Sequence, residues 1–168
     1  MRFFLPLLAV LLCLSGCVGN QEERLYSDKG FSFVCPAGWR IHEESYQGAR
    51  FIECSSGDAS FNAKWVDKEL DLNESVRKEE ADLSELALAA RQPAPEFLPP
   101  LDATFKSYEA VTRTYYTLEE GGGRKTRNEA ISFNCNGKHF TLVFGGPADF
   151  YYGAATEFRY ITESFECR

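Results

Sequence analysis

The sequence predicts an α+β domain: an antiparallel β-sheet of about seven strands, in the element order ββββαβββα, with two main helices packed on it. Three observations carry that prediction. Short segments with the two-residue alternation of strands lie on both sides of one long stretch with a helical period. Asn136-Gly137, the strongest hairpin signal in the chain, joins two of the alternating segments. A final apolar series, Phe150, Ala154, Phe158, Ile161 and Phe165, steps by 4, 4, 3 and 4, which is one face of a helix.

Ahead of the domain, Met1-Arg2 gives one positive charge, and Phe3 to Leu14 is apolar apart from Pro6. That run is too short to cross a hydrocarbon core of roughly 30 Å as a helix. A charged start, a short apolar region and a small-residue exit match an export signal. The exit Leu14-Ser15-Gly16-Cys17 resembles the bacterial lipobox, which implies cleavage before Cys17 and acylation of its sulfur. Acyl chains of the palmitate kind, at about 0.8 kcal/mol per buried methylene, would hold the chain on a membrane. An ordinary signal peptide is the alternative. Val18, where many inner-membrane lipoproteins carry Asp, implies the outer membrane facing the periplasm. The expected organisation is a signal peptide over 1–16, an acylated Cys17 with a polar tether to residue 28, and a single domain over 29–168.

Removing residues 1–16 takes Arg2 from the 18 basic residues and nothing from the 25 acidic ones, so the net charge moves from −7 to about −8. The remaining 152 residues suffice for one core. An acidic surface argues against nucleic acid.

In the domain, Phe31, Phe33 and Cys35 alternate as a first strand. Pro36-Ala37-Gly38 turns the chain, and Trp39 and Ile41 begin a returning strand. Ala49 to Cys54 and Ala59 to Val66 are the third and fourth strands, the latter with Phe61, Ala63 and Trp65 on one face. The period then changes. Leu72, Val76, Leu83, Leu86, Ala87 and Ala90 form a helical stripe, opened by Asp71 with Glu74 in a capping-box spacing. The helix is expected to end near Arg91, before Gln92-Pro93-Ala94-Pro95, and Pro93 to Pro100 reads as a surface loop. Phe105 to Glu119 reads as one long strand rich in Val, Thr and Tyr. Gly121-Gly122-Gly123 forms a hairpin tip into Lys125 to Cys135, and Asn136-Gly137 leads to Lys138 to Gly145. Pro147 suits the first turn of the closing helix.

Four cysteines remain beyond Cys17, and in an oxidising compartment they suggest two disulfides with three possible connectivities. Cys35 and Cys54 fall at the same end of a four-strand meander. Cys135 precedes the Asn136-Gly137 turn, to which a closing helix carrying Cys167 would return. The expected pairs are therefore Cys35–Cys54 and Cys135–Cys167.

The opening Gly30-Phe31-Ser32-Phe33, followed by Pro36 and Gly38-Trp39, and the closing Phe158-x-x-Ile161-x-x-Ser164-Phe165 resemble the PsbP-like family. That family includes DcrB-type bacterial envelope proteins and a Ran-binding nuclear import factor. The resemblance covers nearly all of Tyr26 to Cys167. It implies an antiparallel sheet with packed helices and protein binding without catalysis, and it carries no metal or partner residue over to this chain.

No catalytic or metal-binding constellation is legible, and no cofactor is expected. The sequence has no G-x-S-x-G elbow and no H-E-x-x-H. His42 and His139 lie in separate strands among polar neighbours and read as solvated surface residues. Gly145-Gly146-Pro147 has the look of an anion site at a helix start, but Asp149 would compete for it, and a simple turn is the better reading. Glu74, Lys78, Glu79, Glu80 and Asp82 form a solvated helix face. Tyr151 and Tyr152 stand partly off the last apolar stripe and are the candidate partner contacts, since exposed tyrosines are enriched at binding surfaces.

The expected function is a lipid-anchored cell-envelope module that binds an unidentified envelope protein or supports an assembly. The alternatives are an envelope hydrolase built on carboxylates and a histidine, or a small-ligand carrier. A pocket gathering a histidine with carboxylates would favour the hydrolase. A flat aromatic surface would favour binding, and a cavity between helix and sheet would favour the carrier.

Overall fold

The computed structural model describes residues 22–28, 30–46, 49–118 and 123–168. The signal peptide, Cys17 and the first part of the tether lie outside the described residues, as do Gly121 and Gly122 of the expected hairpin tip. Among the described residues the fold is α+β, with two antiparallel sheets and two α-helices.

The stretch read as the end of a tether is instead a strand, β1 (Arg24–Asp28), antiparallel to β2 (Phe31–Cys35). Tyr26 packs its ring on Phe31 and Phe33 at 5.6 and 5.3 Å, and Asp28 accepts from Arg50 at 2.7 Å. The folded domain therefore begins before residue 29.

β2 does not open the large sheet, contrary to the expected meander. Gly38 takes a φ of +83° and the Trp39 N–H donates to the Pro36 carbonyl at 3.1 Å, so the chain turns out of one sheet and into the other. There β3 (Arg40–Tyr46), β4 (Ala49–Ser56) and β5 (Ala59–Val66) run as antiparallel neighbours.

Helix α1 (Leu72–Ala89) starts where the sequence places it, with Asp71 Oδ1 accepting from the Glu74 N–H at 2.8 Å. It ends with Arg91 at a φ of +56°, in the place glycine usually takes, and with the Gln92 N–H on the Ala87 carbonyl at 2.8 Å. The Pro93–Pro100 stretch is not wholly loop, because it contains β6 (Glu96–Phe97), paired to the next long strand.

The single long strand expected from Phe105 is two: β7 (Leu101–Phe105) and β8 (Tyr108–Leu118), hinged at Lys106 with a φ of +57°. β9 (Lys125–Cys135) and β10 (Lys138–Pro147) follow, with Asn136 and Gly137 both at positive φ in their hairpin. Pro147 is the last residue of β10, not the first of a helix. A 3-10 turn (Tyr151–Ala154) leads into α2 (Ala155–Ser164), and β11 (Glu166–Cys167) closes the chain.

The large sheet runs β3-β4-β5-β10-β9-β8-β6, with β7 also on β8; the small one runs β1-β2-β11. One face of the large sheet carries Phe61, Trp65, Phe133, Phe140, Leu142 and Phe144. This face meets Phe31 and Phe33 of the small sheet and Phe158, Ile161 and Phe165 from α2 and its C-terminal end. Phe31 sits edge-on to Trp65 at 4.7 Å and to Phe140 at 5.1 Å. That aromatic layer is the core.

α1 covers the opposite face and buries little more than Val76 and Ala87. Leu86 and Ala90 of its expected stripe are exposed, and so is Leu88. Cys35–Cys54 joins the small sheet to the large one with Cα atoms 6.1 Å apart, and Cys135–Cys167 joins β9 to β11 at 6.5 Å. The first pair thus staples two sheets, where sequence topology placed it within one.

Candidate functional site

The β8–β9 register sets Tyr116 opposite Arg127, and the chain leaving β10 brings the 3-10 turn beside them. Tyr152 and Phe150 are 72% and 71% exposed there. The Arg127 guanidinium lies 4.9 Å from the Tyr151 ring centroid and 5.2 Å from that of Tyr152, and it donates to the Tyr152 hydroxyl at 2.9 Å. It also pairs with Glu129. Burial works against the Arg127 charge, and the hydrogen bonds and charge of Glu129 and Tyr152 more than offset it. Lys125 stands 4.2 Å over the Tyr116 ring and pairs with Glu96 at 2.7 Å. The result is a surface of aromatic rings interleaved with held cations on a rigid strand pair, the chemistry enriched at protein interfaces.

Of the two tyrosines singled out by sequence, only Tyr152 is presented. Tyr151 is 4% exposed and packs on Phe158 at 5.4 Å. Burial, reinforced by Glu129, pushes its hydroxyl well above the usual range. It is a core ring, because the turn at Phe150 points it inward under Gly146. The periodicity puts Phe150 on the buried stripe of a helix, but that helix starts five residues later and Phe150 is a surface residue.

The histidines do not come together. His42 is exposed on β3, its Nε2 2.8 Å from Glu44 Oε1. His139, expected at the surface, is 5% exposed on β10. On the α1 side of the sheet it shares a row with Val66 and Asn134, and the next row holds Lys64, Thr141 and Ser132. Because α1 lies over β8 and β9, the β5–β10 part of this face is left open. The opening is a groove of about 750 Å³, with Lys64, His139 and Thr141 on the strand side and Glu74, Glu79 and Asp82 on the helix side.

Burial, with the charge of Lys64, lowers His139 from 6.5 to about 4. Burial pushes the Glu79 carboxyl up, opposed by Lys64 and Arg113. A histidine titrating so low is a weak general base near neutrality, so the arrangement suits hydrogen bonding better than proton abstraction. Among the described residues no group of three or more His, Cys, Asp and Glu is placed to hold a metal ion. Gly145-Gly146-Pro147 is strand, not a helix start. A Cβ at Gly145 would lie 2.8 Å from Asn128 Oδ1, so a larger residue there would displace that side chain.

No protein-family model matches the sequence, and no curated protein matches it. Solved structures do. Cyanobacterial PsbP (CyanoP) from Synechocystis sp. PCC 6803 superposes with a TM-score of 0.65 at 16% identity, over 91% of this chain and 96% of that one. A protein of unknown function from Pseudomonas aeruginosa, PA94, gives 0.52 at 13% identity, over 87% and 97%. LpqN, involved in cell envelope biogenesis of Mycobacterium tuberculosis, gives 0.50 at 14% identity, over 85% and 88%. At these identities the likeness is one of fold.

Proposed function

The chain has the PsbP-like fold, and on that premise we propose that it is a lipid-anchored cell-envelope protein acting as a non-catalytic protein-binding or assembly-support module. The observation that carries this reading is the exposed Tyr152 ring held on Arg127, with the exposed Phe150 ring two residues earlier in the same turn. Large rings exposed beside a guanidinium that is already held in place lose little side-chain entropy when a partner covers them. The lipobox at Leu14 to Cys17 and the envelope role of LpqN support the compartment. The hydrolase alternative is weakened by the low affinity of His139 for a proton and by the surface position of His42.

A photo-crosslinking residue placed at Phe150 or Tyr152 in living cells tests the reading. Both positions should trap one and the same envelope protein, and a control at Leu88, exposed on α1, should not. Trapping of lipid alone, or equal trapping at Leu88, removes the support for a protein partner at this surface.

A further inference from the structure

We propose that the groove between α1 and the β5–β10 strands binds a small zwitterion, a molecule with an N–H-bearing ammonium group and an anionic group a few bonds apart. The argument begins at Asn134. Its Nδ2 donates to the Leu70 carbonyl at 2.8 Å and its Oδ1 accepts from the Leu70 N–H at 3.3 Å, so the amide has one orientation. Oδ1 therefore faces His139 Nδ1 at 2.9 Å as an acceptor, and Nδ1 must carry the proton. Nε2 is left as a lone pair. It is buried and has no hydrogen-bond partner among the described residues. His139 lines the groove, and a buried acceptor left orphaned beside it is costly unless a donor arrives.

The walls say what kind of donor. Lys64 and Lys68 line the strand side, and Glu74 and Glu79 line the helix side, where the charge of Asp82 is met by Lys78 at 3.0 Å. Lys64 acts electrostatically on both His139 and Glu79. A bare cation approaching Nε2 meets Lys64, and a bare anion meets the acidic helix. A neutral ligand would cover both charges and pair neither, which is costly away from water. A zwitterion satisfies all three groups. Its ammonium donates to His139 Nε2 and faces Glu79, and its anionic end meets Lys64. The groove is large enough for an amino-acid-sized or dipeptide-sized molecule with room to spare.

Two sources offer this chemistry, a short peptide and a phosphoethanolamine headgroup, and titration separates them. The purified full chain carrying ¹⁵N-histidine is titrated with L-alanyl-L-alanine and, separately, with O-phosphoethanolamine. Glycine betaine, which lacks an N–H, propionate and ethylamine serve as comparators. The expected result is that at least one zwitterion moves the Nε2 resonance of His139 and leaves exposed His42 unchanged. The zwitterion that responds identifies the source. Lys64→Gln should weaken binding about tenfold, and Lys64→Arg should restore it, with thermal melts confirming that both variants fold. Comparators that bind as well as the zwitterions, histidines that shift together, no shift with either zwitterion, or an unchanged affinity in Lys64→Gln would each overturn the proposal. None of these outcomes bears on the crosslinking surface, which lies on the other face of the sheet.

Discussion

Asn134 decides what His139 can do. A histidine fixed as the Nδ1–H tautomer, with its other nitrogen buried, resists protonation, and its value falls to about 4. In the unfolded chain the same ring titrates near 6.5. The unfolded state therefore binds the proton first as pH falls, and His139 makes the fold acid-sensitive. Its contribution to stability is intact above about 6.5 and is lost progressively as pH falls towards about 4, by at most about 3 kcal/mol. Replacing it with Gln should flatten the denaturation midpoint across that window, as measured by urea unfolding at pH 7 and pH 4.5. An unchanged pH slope would show that His139 does not titrate as described. This burial is not legible locally, because His139 sits between Lys138 and Phe140 on a strand whose alternate residues read as the solvent side. What covers it is the segment leading into α1, whose Leu70 is bonded to Asn134 beside the ring. Tyr151 and Tyr152 show the same limit, since a 3-10 turn rotates adjacent residues to opposite fates that a helical wheel cannot resolve.

Elements were most legible where local chemistry sufficed. Asp71 caps α1 as its spacing predicts, and Asp71→Ala should cost about 1 kcal/mol in chemical denaturation, because the Glu74 N–H loses its acceptor. A loss near zero would mean that water replaces the cap without penalty. The Asn136-Gly137 hairpin likewise joins the strands that its dipeptide marks. Legibility failed where the chain turns without glycine or proline, as at Lys106-Ser107, which divides β7 from β8. It also failed where strand pairing depends on distant partners. Nothing local in Phe31 to Cys35 distinguishes a first strand of the large sheet from the middle strand of a small one. That choice is made by β1 and β11, at opposite ends of the described chain. The helical stripe of α1 was real in period but shallow in consequence. The face it meets carries Val111, Ser132 and Thr141, with its rings gathered at Tyr115 and Phe97, 5.6 Å apart, and Leu86 and Leu88 stay exposed.

The whole molecule is organised by what lies on each side of the large sheet. One side holds the aromatic core, α2 and the small sheet, tied in by Cys35–Cys54 and Cys135–Cys167, whose loops correspond to about 3 and about 4 kcal/mol of chain entropy. The other side holds α1 and the groove. The N-terminal chain enters on the core side, where the Tyr160 hydroxyl of α2 donates to Glu23 at 2.9 Å. Because β1 takes up residues 24–28, only the stretch from Val18 to Glu23 would separate an acylated Cys17 from the folded domain, a reach of at most about 20 Å. An anchor that short would orient the domain. In bicelles doped with a headgroup spin label, backbone amides of Arg159 and Tyr160 on α2 should broaden more than those of Leu86 and Leu88 on α1, leaving the groove turned away from the bilayer. Cys17→Ala should abolish the broadening altogether. Equal broadening on both helices would mean that the tether does not orient the domain, and persistence in Cys17→Ala would mean that something other than the lipid holds it to the membrane.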